Sequence, residues 1–412
     1  MFARMTEPQP FLVSVQPTVL QWISERLSTA RIVPEINHAP TREWEDGTPV
    51  NVLAELVDFW KTTFDWREVE KELNQKFKMF TLDMEEAGEV LSVHFVHHRS
   101  PRHDALPLLF LHGWPGNFTE VEAFLELTDP TDANAQAFHV VAPSLPGFAF
   151  SSAPNNPGFG ASRMAGLFHK LMNKLGYTHY IGQGNDIGSF ILRSMAIQFP
   201  RSCVAIHLNY IIAMPPSPTS HPYTLFWLML QWFTPEEKKA IDRMKQNFEK
   251  GFGYAQIQGT KPQTLSYGLM DSPIGMLAWI RDKMHDLVDP SFEWDKKMVI
   301  TWVMLYLVAG NSGAFRVYKE NMDQEEVKKV MDTKVPREVM FGYSHFPWDV
   351  GYITRWWAEA MVADNIVYWK EHSSGGHFAS VECSDVLVKD FVEFCNLIRG
   401  DRRELLVKAG GM

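Results

Sequence analysis

A short strand, a glycine-rich turn and a helix follow one another in residues 179–199, HYIGQGNDIGSFILRSMAIQF. Asp186 stands at the centre of the turn, with Gly184 two residues before it and Gly188 two residues after it. Small residues at these positions permit a sharp strand-to-helix bend on which the central side chain stands exposed at the top of a sheet. The alternative is an ordinary glycine turn whose Asp caps the following helix. The five-residue pattern alone does not decide between the two structures.

The segments around this turn alternate between strand and helix patterns. Residues 107–111 and 138–142 are continuous apolar runs, which is typical of strands buried on both faces of a parallel sheet. A helix with one apolar face is predicted over 162–175, and a final helix is predicted from Ser384 onward. The other predicted strands are 91–95, 179–181, 204–208, 339–341 and 365–368. This alternation predicts an α/β protein with a mostly parallel central sheet that helices cover on both faces.

Two long stretches depart from the alternation. Residues 1–76 are mostly helical by pattern, and residues 211–335 are mainly helical and rich in Trp, Met and Phe. We expect an N-terminal helical extension and a helical cap over the carboxyl edge of the sheet, with a hinge or boundary at the proline-rich residues 215–218. The expected division is 1–100 for the N-terminal segment leading into the first strands, 101–212 for the first part of the core, 213–335 for the cap and 336–412 for the second part of the core.

The composition disfavours several classes of protein. Of the 412 residues, 45% are hydrophobic and 21% are charged, whereas a disordered chain is poor in apolar residues and rich in charge. The net charge of −10 disfavours a nucleic-acid partner, because such binders normally carry a basic face. Cys203, Cys383 and Cys395 match neither a disulfide framework nor a metal-ligand spacing, which favours a reducing compartment. Residues 1–25 carry no signal-peptide pattern, so we expect a cytoplasmic protein.

Two apolar stretches bear on membrane contact. The longest run, residues 298–309, is interrupted by Thr301 and is shorter than the roughly 20 residues that a spanning helix requires, so no membrane-spanning segment is expected. Residues 223–233, YTLFWLMLQWF, lie in the expected cap and are predicted to form a buried helix. The alternatives for this stretch are the wall of an access tunnel and a contact with a membrane surface.

A second motif, HGWPG at 112–116, directly follows the strand predicted at 107–111. In α/β-hydrolases, whose nucleophile stands on a sharp strand-to-helix bend, a loop at this place donates a backbone N–H to the oxyanion hole. Trp114 would supply such an N–H here, and Ile187 would supply the other from the position after Asp186. An ordinary turn would explain the glycines and the proline, but not their position one strand–helix unit before the Asp186 bend.

The chain also offers a base and an acid at the positions that this fold requires. His377 follows two glycines after the last predicted strand, where a loop could bring its imidazole over Asp186, and His345 and His372 are the competing histidines nearby. Asp349 would fix the tautomer of His377 and stabilise its charged form, the alternative being an ordinary solvated turn residue. The order Asp186, Asp349, His377 is the nucleophile, acid and base order of α/β-hydrolases.

With these motifs the chain resembles the epoxide hydrolases, in particular the microsomal-type and fungal soluble branch with an extra N-terminal segment. The resemblance covers nearly the whole chain and is carried by Trp44 and by residues 47–49, 59–60, 64–67, 93–96, 143–148, 183–188 and 375–378. Asn185 stands where many relatives have Gly, and Ile187 stands where many have Trp. Neither difference removes a reacting atom, so both bear on the level of activity more than on the type of reaction.

The resemblance implies further properties that the residue patterns alone do not select. It implies that two cap tyrosines, Tyr254 and Tyr318, hold the epoxide oxygen as equal partners. Neither a cofactor nor a metal is required for such an enzyme, and a homodimer is compatible with it. The Met-rich and aromatic residues expected in the pocket walls favour a bulky apolar epoxide as the small-molecule substrate. Both detoxification and secondary metabolism are compatible with such an enzyme.

A carboxylate nucleophile restricts the chemistry. Attack by Asp186 on an ester carbonyl would give an anhydride, whereas attack on a saturated carbon gives a stable alkyl ester. An epoxide carbon fits, provided that a tyrosine hydroxyl protonates the oxygen as the ring opens. His377 would then activate the water that hydrolyses the ester, and the product would be a vicinal diol.

Three other functions compete with this one. A haloalkane dehalogenase also uses an Asp nucleophile, but it commonly places a Trp directly after it, where this chain has Ile187. A non-catalytic binding protein on the same fold would not need the nucleophile, base and acid that are all present. A serine esterase would need a G-x-S-x-G motif at the bend. Diol formation, halide release or neither would separate the first two alternatives from an epoxide hydrolase.

Overall fold

Nine strands form one sheet in the part of the chain that the computed structural model describes, residues 7–36, 43–214, 216, 218–219, 221–230 and 233–411. In chain order they are β1 (Gln9–Phe11), β2 (Met79–Glu86), β3 (Glu89–His98), β4 (Leu106–Leu111), β5 (Phe138–Pro143), β6 (Tyr180–Gly184), β7 (Cys203–Leu208), β8 (Met340–His345) and β9 (Ile366–Glu371). They lie in the order β1-β2-β3-β5-β4-β6-β7-β8-β9. The pairs from β5 to β9 are parallel and the pairs that join β1, β2, β3 and β5 are antiparallel, so the mostly parallel sheet is confirmed.

The helices fall into groups that follow the chain. The N-terminal segment holds α1 (Pro17–Ser28), α2 (Val50–Thr62) and α3 (Trp66–Lys76), and the first part of the core holds a 3₁₀ helix (Phe118–Thr128), α4 (Ala161–Lys174) and α5 (Asp186–Gln198). The cap holds α6 (Pro222–Met229), α7 (Pro235–Gln246), α8 (Gly253–Thr260), α9 (Pro262–Asp271), α10 (Pro273–Asp286), α11 (Lys296–Ala309), α12 (Gly313–Asn321) and α13 (Gln324–Met331). The second part of the core holds α14 (Arg355–Met361), α15 (Ala379–Glu382), α16 (Ser384–Cys395) and α17 (Gly400–Gly410).

The middle of the sheet is buried because core helices pack against it. Every residue of β4, β5, β6, β7 and β8 is buried, in keeping with their largely apolar sequences. On α4, Phe168 and Leu171 belong to the buried face that the sequence predicts. The helix ends before Gly176, whose φ of +92° is a conformation that favours glycine.

The N-terminal segment differs from the mostly helical prediction by one strand. β1 pairs antiparallel with β2, with Gln9 opposite Thr81 and Phe11 opposite Met79. The three residues of β1 are largely exposed and include a proline, so they lack the apolar alternation that marks a strand in sequence. β2 is likewise absent from the predicted strands.

The N-terminal segment also holds the cap. The ring of Trp44 stacks on that of His285 in α10, with 3.7 Å between the ring centroids, and the guanidinium of Arg281 lies 4.8 Å from the centre of the same indole. The Thr48 hydroxyl donates a hydrogen bond of 2.8 Å to the carbonyl oxygen of Ala278, also in α10. These contacts fix the position of α10 relative to the core.

The cap is helical as predicted, but one of its helices is not buried. α6 has no buried side chain, and Tyr223 and Met229 are 82% and 74% exposed. The prediction of a buried helix over 223–233 is therefore wrong for the described residues 223–230, because apolar composition alone does not show whether another surface packs against a helix. Residues 231 and 232 lie outside the described residues, as do positions 215 and 217 of the predicted hinge.

The described helices differ in length and in apolar character. None of them alone has the length and apolar character needed to cross a bilayer. The pair α11 and α12, bent by 85° at the break between them, meets the requirement only on combined length and composition.

Candidate active site

Asp186 occupies a sharp bend between β6 and α5. Its φ is +43°, a left-handed conformation that residues other than glycine seldom adopt. Gly188 makes the bend feasible, because a Cβ at this position would overlap the carbonyl oxygen of Leu111 at the end of β4. The structure thus has the strand-to-helix bend that the glycine pattern predicts, and the Asp186 side chain faces a cavity.

The HGWPG loop lies against the Asp186 carboxylate. The backbone N–H of Trp114 donates a hydrogen bond of 2.8 Å to Asp186 Oδ1, and Gly113 leaves room for that carboxylate where a Cβ would collide with it. Ile187 lies in the first turn of α5, where backbone N–H groups have no partner within the helix. The loop therefore brings the Trp114 N–H to Asp186, next to the residue expected to supply the second donor.

His112 holds this loop in place. Its Nδ1 lies 3.0 Å from the carbonyl oxygen of Gly113, and its Nε2 lies 3.2 Å from the backbone N–H of Leu145. Since the backbone N–H can only donate, Nε2 accepts and the ring proton sits on Nδ1. Burial lowers the pKa of His112 to about 4, so the ring stays neutral and keeps both hydrogen bonds at neutral pH.

His377 lies between the two predicted carboxylates. Its Nε2 is 3.5 Å from Asp186 Oδ2, and its Nδ1 is 2.6 Å from Asp349 Oδ1. Burial alone would lower the pKa of His377, but the Asp349 and Asp186 carboxylates outweigh that effect and raise it well above its usual value. Burial also raises the pKa of Asp349, against the opposing effect of the imidazole. The imidazole is therefore strongly basic while both carboxylates are charged.

The two competing histidines have other partners. His372 Nε2 lies 2.6 Å from Asp390 Oδ2, and the buried ring of His345 packs on Tyr352 with 4.5 Å between the centroids. Of the three histidines, His377 is the one whose contacts join Asp186 to a second carboxylate.

The two predicted tyrosines come together from separate cap helices. Tyr254 lies in α8 and Tyr318 lies in α12, and their rings contact Trp114 with centroid distances of 5.0 and 5.6 Å. The two rings also contact each other edge to face, with 5.7 Å between their centroids. Burial, together with the nearby Asp186 charge, raises the pKa of both phenols, which therefore stay protonated and able to donate at neutral pH.

Asp186 and both tyrosines line a cavity of about 280 Å³. Most of the other lining side chains are apolar: Ile187, Phe190, Tyr210, Ile212, Met214, Phe248, Phe252, Leu287, Met322, Val327, Met331 and Val350. A volume of this size with few polar groups accommodates a small apolar molecule. No group of three or more His, Cys, Asp or Glu side chains placed to hold a metal ion occurs among the described residues.

Two further residues of the site carry no signal in the sequence. The ring of Tyr210 meets the edge of the His377 ring at 5.6 Å. Lys283, buried in α10, forms ion pairs of 2.9 Å with Asp282 and Asp286, and its ammonium lies 5.2 Å from the centre of the Tyr254 ring. A single tyrosine after β7 and a lysine within a charged helix resemble ordinary packing and surface residues, so only the folded arrangement assigns them to the site.

The backbone of the loop that carries His377 is held by hydrogen bonds to two carboxylates and to one carbonyl oxygen of neighbouring segments. Asp289 accepts a hydrogen bond of 2.9 Å from the backbone N–H of Gly375, and Glu382 accepts one of 2.9 Å from that of Phe378. The N–H of His377 donates to the carbonyl oxygen of Leu287 at 2.8 Å. Residues of the cap and residues of the core therefore both fix the position of His377.

Comparison with known proteins shows which family the chain is similar to. Residues 8–121 match the epoxide hydrolase N terminus family and residues 107–271 match the alpha/beta hydrolase fold family. A putative epoxide hydrolase of Stigmatella aurantiaca is 34% identical over 90% of this chain and 81% of its own length.

Two solved structures extend the comparison over almost the whole chain. The Aspergillus niger epoxide hydrolase is 31% identical with a TM-score of 0.81, covering 96% of this chain and 98% of that one. The juvenile hormone epoxide hydrolase of Bombyx mori is 28% identical with a TM-score of 0.85, covering 96% of both chains. The chain therefore belongs to the epoxide hydrolase family and is a hydrolase with the α/β-hydrolase fold and the N-terminal segment of that family.

Proposed function

We propose that this enzyme converts a small apolar epoxide and water to a vicinal diol through a covalent ester on Asp186. The observation that carries the proposal is the surroundings of one carboxylate. Asp186 receives the Trp114 N–H at 2.8 Å, faces His377 at 3.5 Å and shares an apolar cavity with Tyr254 and Tyr318.

In the first step, the Asp186 carboxylate attacks an epoxide carbon and forms an ester bond as the carbon–oxygen bond of the ring breaks. The departing oxygen takes a phenol proton, because an alkoxide is a poor leaving group unless it is protonated. Tyr254 and Tyr318 both line the cavity with Asp186, so either phenol can give this proton. The other phenol then stabilises the resulting phenolate.

In the second step, His377 removes a proton from water and the hydroxide attacks the ester carbonyl carbon of Asp186. Alkylation has cancelled the charge of Asp186, so the pKa of His377 falls, and the neutral imidazole can act as a base. The Trp114 and Ile187 N–H groups would stabilise the oxyanion, each by about 3 kcal/mol. The ester bond breaks, and the departing alkoxide takes the proton of the new Asp186 carboxyl group to complete the diol. The proton on His377 returns to the phenolate.

The haloalkane dehalogenase alternative is disfavoured by the two phenols. A departing halide needs hydrogen-bond donors but no proton, whereas Tyr254 and Tyr318 offer an acid at the cavity wall. The apolar lining supports a small, mostly hydrocarbon epoxide as substrate.

A single turnover in H₂¹⁸O tests the proposal. With enzyme in excess over styrene oxide, or over another epoxide from a panel of aryl and alkyl epoxides, we expect an unlabelled diol and one ¹⁸O atom in the peptide that contains Asp186. Direct attack of water on the epoxide would instead label the diol and contradict the covalent route.

The variant Asp186→Ala supplies the second test of this function. We expect diol formation to fall below detection while the circular dichroism spectrum and the melting temperature show a folded protein, because the carboxylate is the nucleophile. Substantial residual turnover by the folded variant would refute the assignment of Asp186, and halide release from a panel of haloalkanes would favour a dehalogenase.

A further inference from the structure

A buried carboxylate that the mechanism does not use lies behind the Asp186 bend. Glu120, in the 3₁₀ helix, is 2% exposed, and no lysine or arginine pairs with it among the ion pairs of the described residues. Its Oε1 accepts a hydrogen bond of 3.2 Å from the backbone N–H of Asn117, which forms part of a helix capping box. The capping box explains one oxygen of Glu120 but leaves the other unexplained.

The second oxygen joins the two halves of the catalytic machinery. Glu120 Oε2 accepts from Asn185 Nδ2 at 2.9 Å and from the Ser380 hydroxyl at 2.8 Å. Asn185 directly precedes the nucleophile, and Ser380 lies three residues after His377. A carboxylate that only capped a helix would have no need of either partner.

We propose that Glu120 is a positioning residue for ester hydrolysis, which holds the Asp186 bend against the His377 loop and supplies a buried negative charge that stabilises the His377 imidazolium. This inference rests on the proposed two-step function. It assigns Glu120 to the second step, because the first step consumes a carboxylate and forms no imidazolium.

The charges around His377 support this division of labour. Asp186, Asp349, Glu120 and Glu382 are the carboxylates that act on His377. In the ester intermediate Asp186 is neutral, so the other three remain to balance the imidazolium. The phenols nearest to these groups, Tyr210 and Tyr306, have pKa values raised well above the usual one by burial and stay neutral.

Glu120 can change its charge in the accessible pH range. Burial raises its pKa to about 6, against the hydrogen bonds from Ser380 and Asn185, so it is ionised at neutral pH and protonated in mild acid. It also lines a second cavity of about 490 Å³, whose walls carry charged side chains such as Glu72, Lys76 and Lys297. Among the described residues, this second cavity shares no lining residue with the cavity of Asp186.

The variant Glu120→Gln keeps the shape of the side chain and removes its charge. With styrene oxide, or another epoxide that the unaltered enzyme turns over, we expect the alkylation rate to stay within about twofold and ester hydrolysis to slow about tenfold. The alkylated peptide should accumulate in quenched samples. The acid limb of ester hydrolysis should also move to lower pH, by about one unit, because the imidazolium loses a stabilising charge.

Two further variants separate a positioning role from a structural one. Glu70→Gln is the matched control: Glu70 is equally a buried carboxylate, accepts hydrogen bonds from Val15 N and Trp66 Nε1, and lies in the N-terminal segment. We expect it to leave both steps unchanged. Ser380→Ala removes one donor to Glu120, so Glu120 should take up its proton more readily and lose part of its negative charge in the acid range. The acid limb of ester hydrolysis should therefore move to lower pH, in the same direction as in Glu120→Gln but by a smaller amount.

A displacement of the acid limb to lower pH in both variants, smaller in Ser380→Ala than in Glu120→Gln, would support the inference. If both steps slow equally and the acid limb of ester hydrolysis stays in place, Glu120 serves only as a helix cap. If neither step slows in Glu120→Gln, the inference is also overturned. If Glu120→Gln does not fold, an unmoved limb in Ser380→Ala is sufficient to overturn it. If the unaltered enzyme forms neither adduct nor diol with any epoxide of the panel, the proposed function fails instead.

Discussion

In the proposed mechanism, His377 takes part in the hydrolysis of the ester and not in the opening of the epoxide ring. Its Nε2 faces Asp186 across 3.5 Å, while its Nδ1 is held by Asp349 at 2.6 Å. An imidazole so placed can act on a water that attacks the ester, but it has no part in opening the epoxide ring. The same reasoning separates the tyrosines, which face the substrate, from the base, which faces the intermediate.

For His377→Gln we therefore expect alkylation without hydrolysis. The peptide that contains Asp186 should gain the mass of one epoxide molecule, and steady-state diol formation should fall by about 100-fold or more, since the general base is lost. Mass spectrometry of the protein quenched after mixing measures the adduct. If turnover is lost and no adduct appears at any time, the two-step route is contradicted.

We expect the two tyrosines to contribute equally. Tyr254→Phe and Tyr318→Phe each remove one of the two phenols at the cavity wall, so the alkylation rate should fall about tenfold in each single variant. The double variant should lose ring opening altogether. Single-turnover alkylation rates measure all three, and a loss confined to one of the single variants would contradict equal roles.

At the scale of elements, a second acid–imidazole cluster joins the last strands to α16. Asp390 accepts hydrogen bonds from the Ser344 hydroxyl in β8 at 2.7 Å, from Lys370 Nζ in β9 at 2.7 Å and from His372 Nε2 at 2.6 Å. Burial alone would raise the pKa of Asp390, but these hydrogen bonds lower it below the usual range. The cluster stabilises the edge of the sheet and takes no part in the reaction.

We expect Asp390→Asn to lower the free energy of unfolding by about 3 kcal/mol, because it breaks a buried, fully hydrogen-bonded ion pair. The pKa of Asp390 is lower in the folded than in the unfolded state, so its contribution is present above about pH 4 and is lost as the pH falls below that value. Urea unfolding at pH 7 and pH 3 measures both effects. Glu404→Gln, an exposed carboxyl on α17, is the control, and an equal effect there would contradict the assignment.

At the scale of the whole molecule, the N-terminal segment connects the sheet to the cap. Trp44 stacks on His285 in the same helix that carries Lys283 against Tyr254. The position of Tyr254, a phenol of the proposed first step, therefore depends on a segment that contributes no reacting atom to the proposed mechanism.

The variant Trp44→Ala tests this connection. We expect kcat/KM for a turned-over epoxide to fall about tenfold, because a small displacement of a catalytic group is costly. Limited proteolysis should also cut the cap faster. Leu12→Ala, at an exposed position of the same segment, should change neither quantity. Faster cleavage of the cap with unchanged kinetics would show that α10 does not position the tyrosines.

Sequence patterns alone were sufficient to predict the strands β3 to β9, the bend at Asp186 and the order of Asp186, Asp349 and His377. Apolar runs such as 107–111 can form only buried strands in this pattern, and a residue such as Gly188 is required where the backbone leaves no space for a side chain. These are local constraints, so a few neighbouring residues are enough to recognise them. Edge strands such as β1 escaped prediction because an exposed strand carries no such constraint.

The contacts between residues far apart in the chain could be assigned only from the folded structure. Tyr254 and Tyr318 lie 64 positions apart on separate helices, and residue patterns did not distinguish them from the other tyrosines. Lys283 and Glu120 resemble surface residues until folding buries them. The exposure of α6 was decided in the same way, since composition gives hydrophobicity but not the presence of a packing partner. Contacts between distant segments depend on the packing of the whole chain, so a local sequence pattern does not predict them.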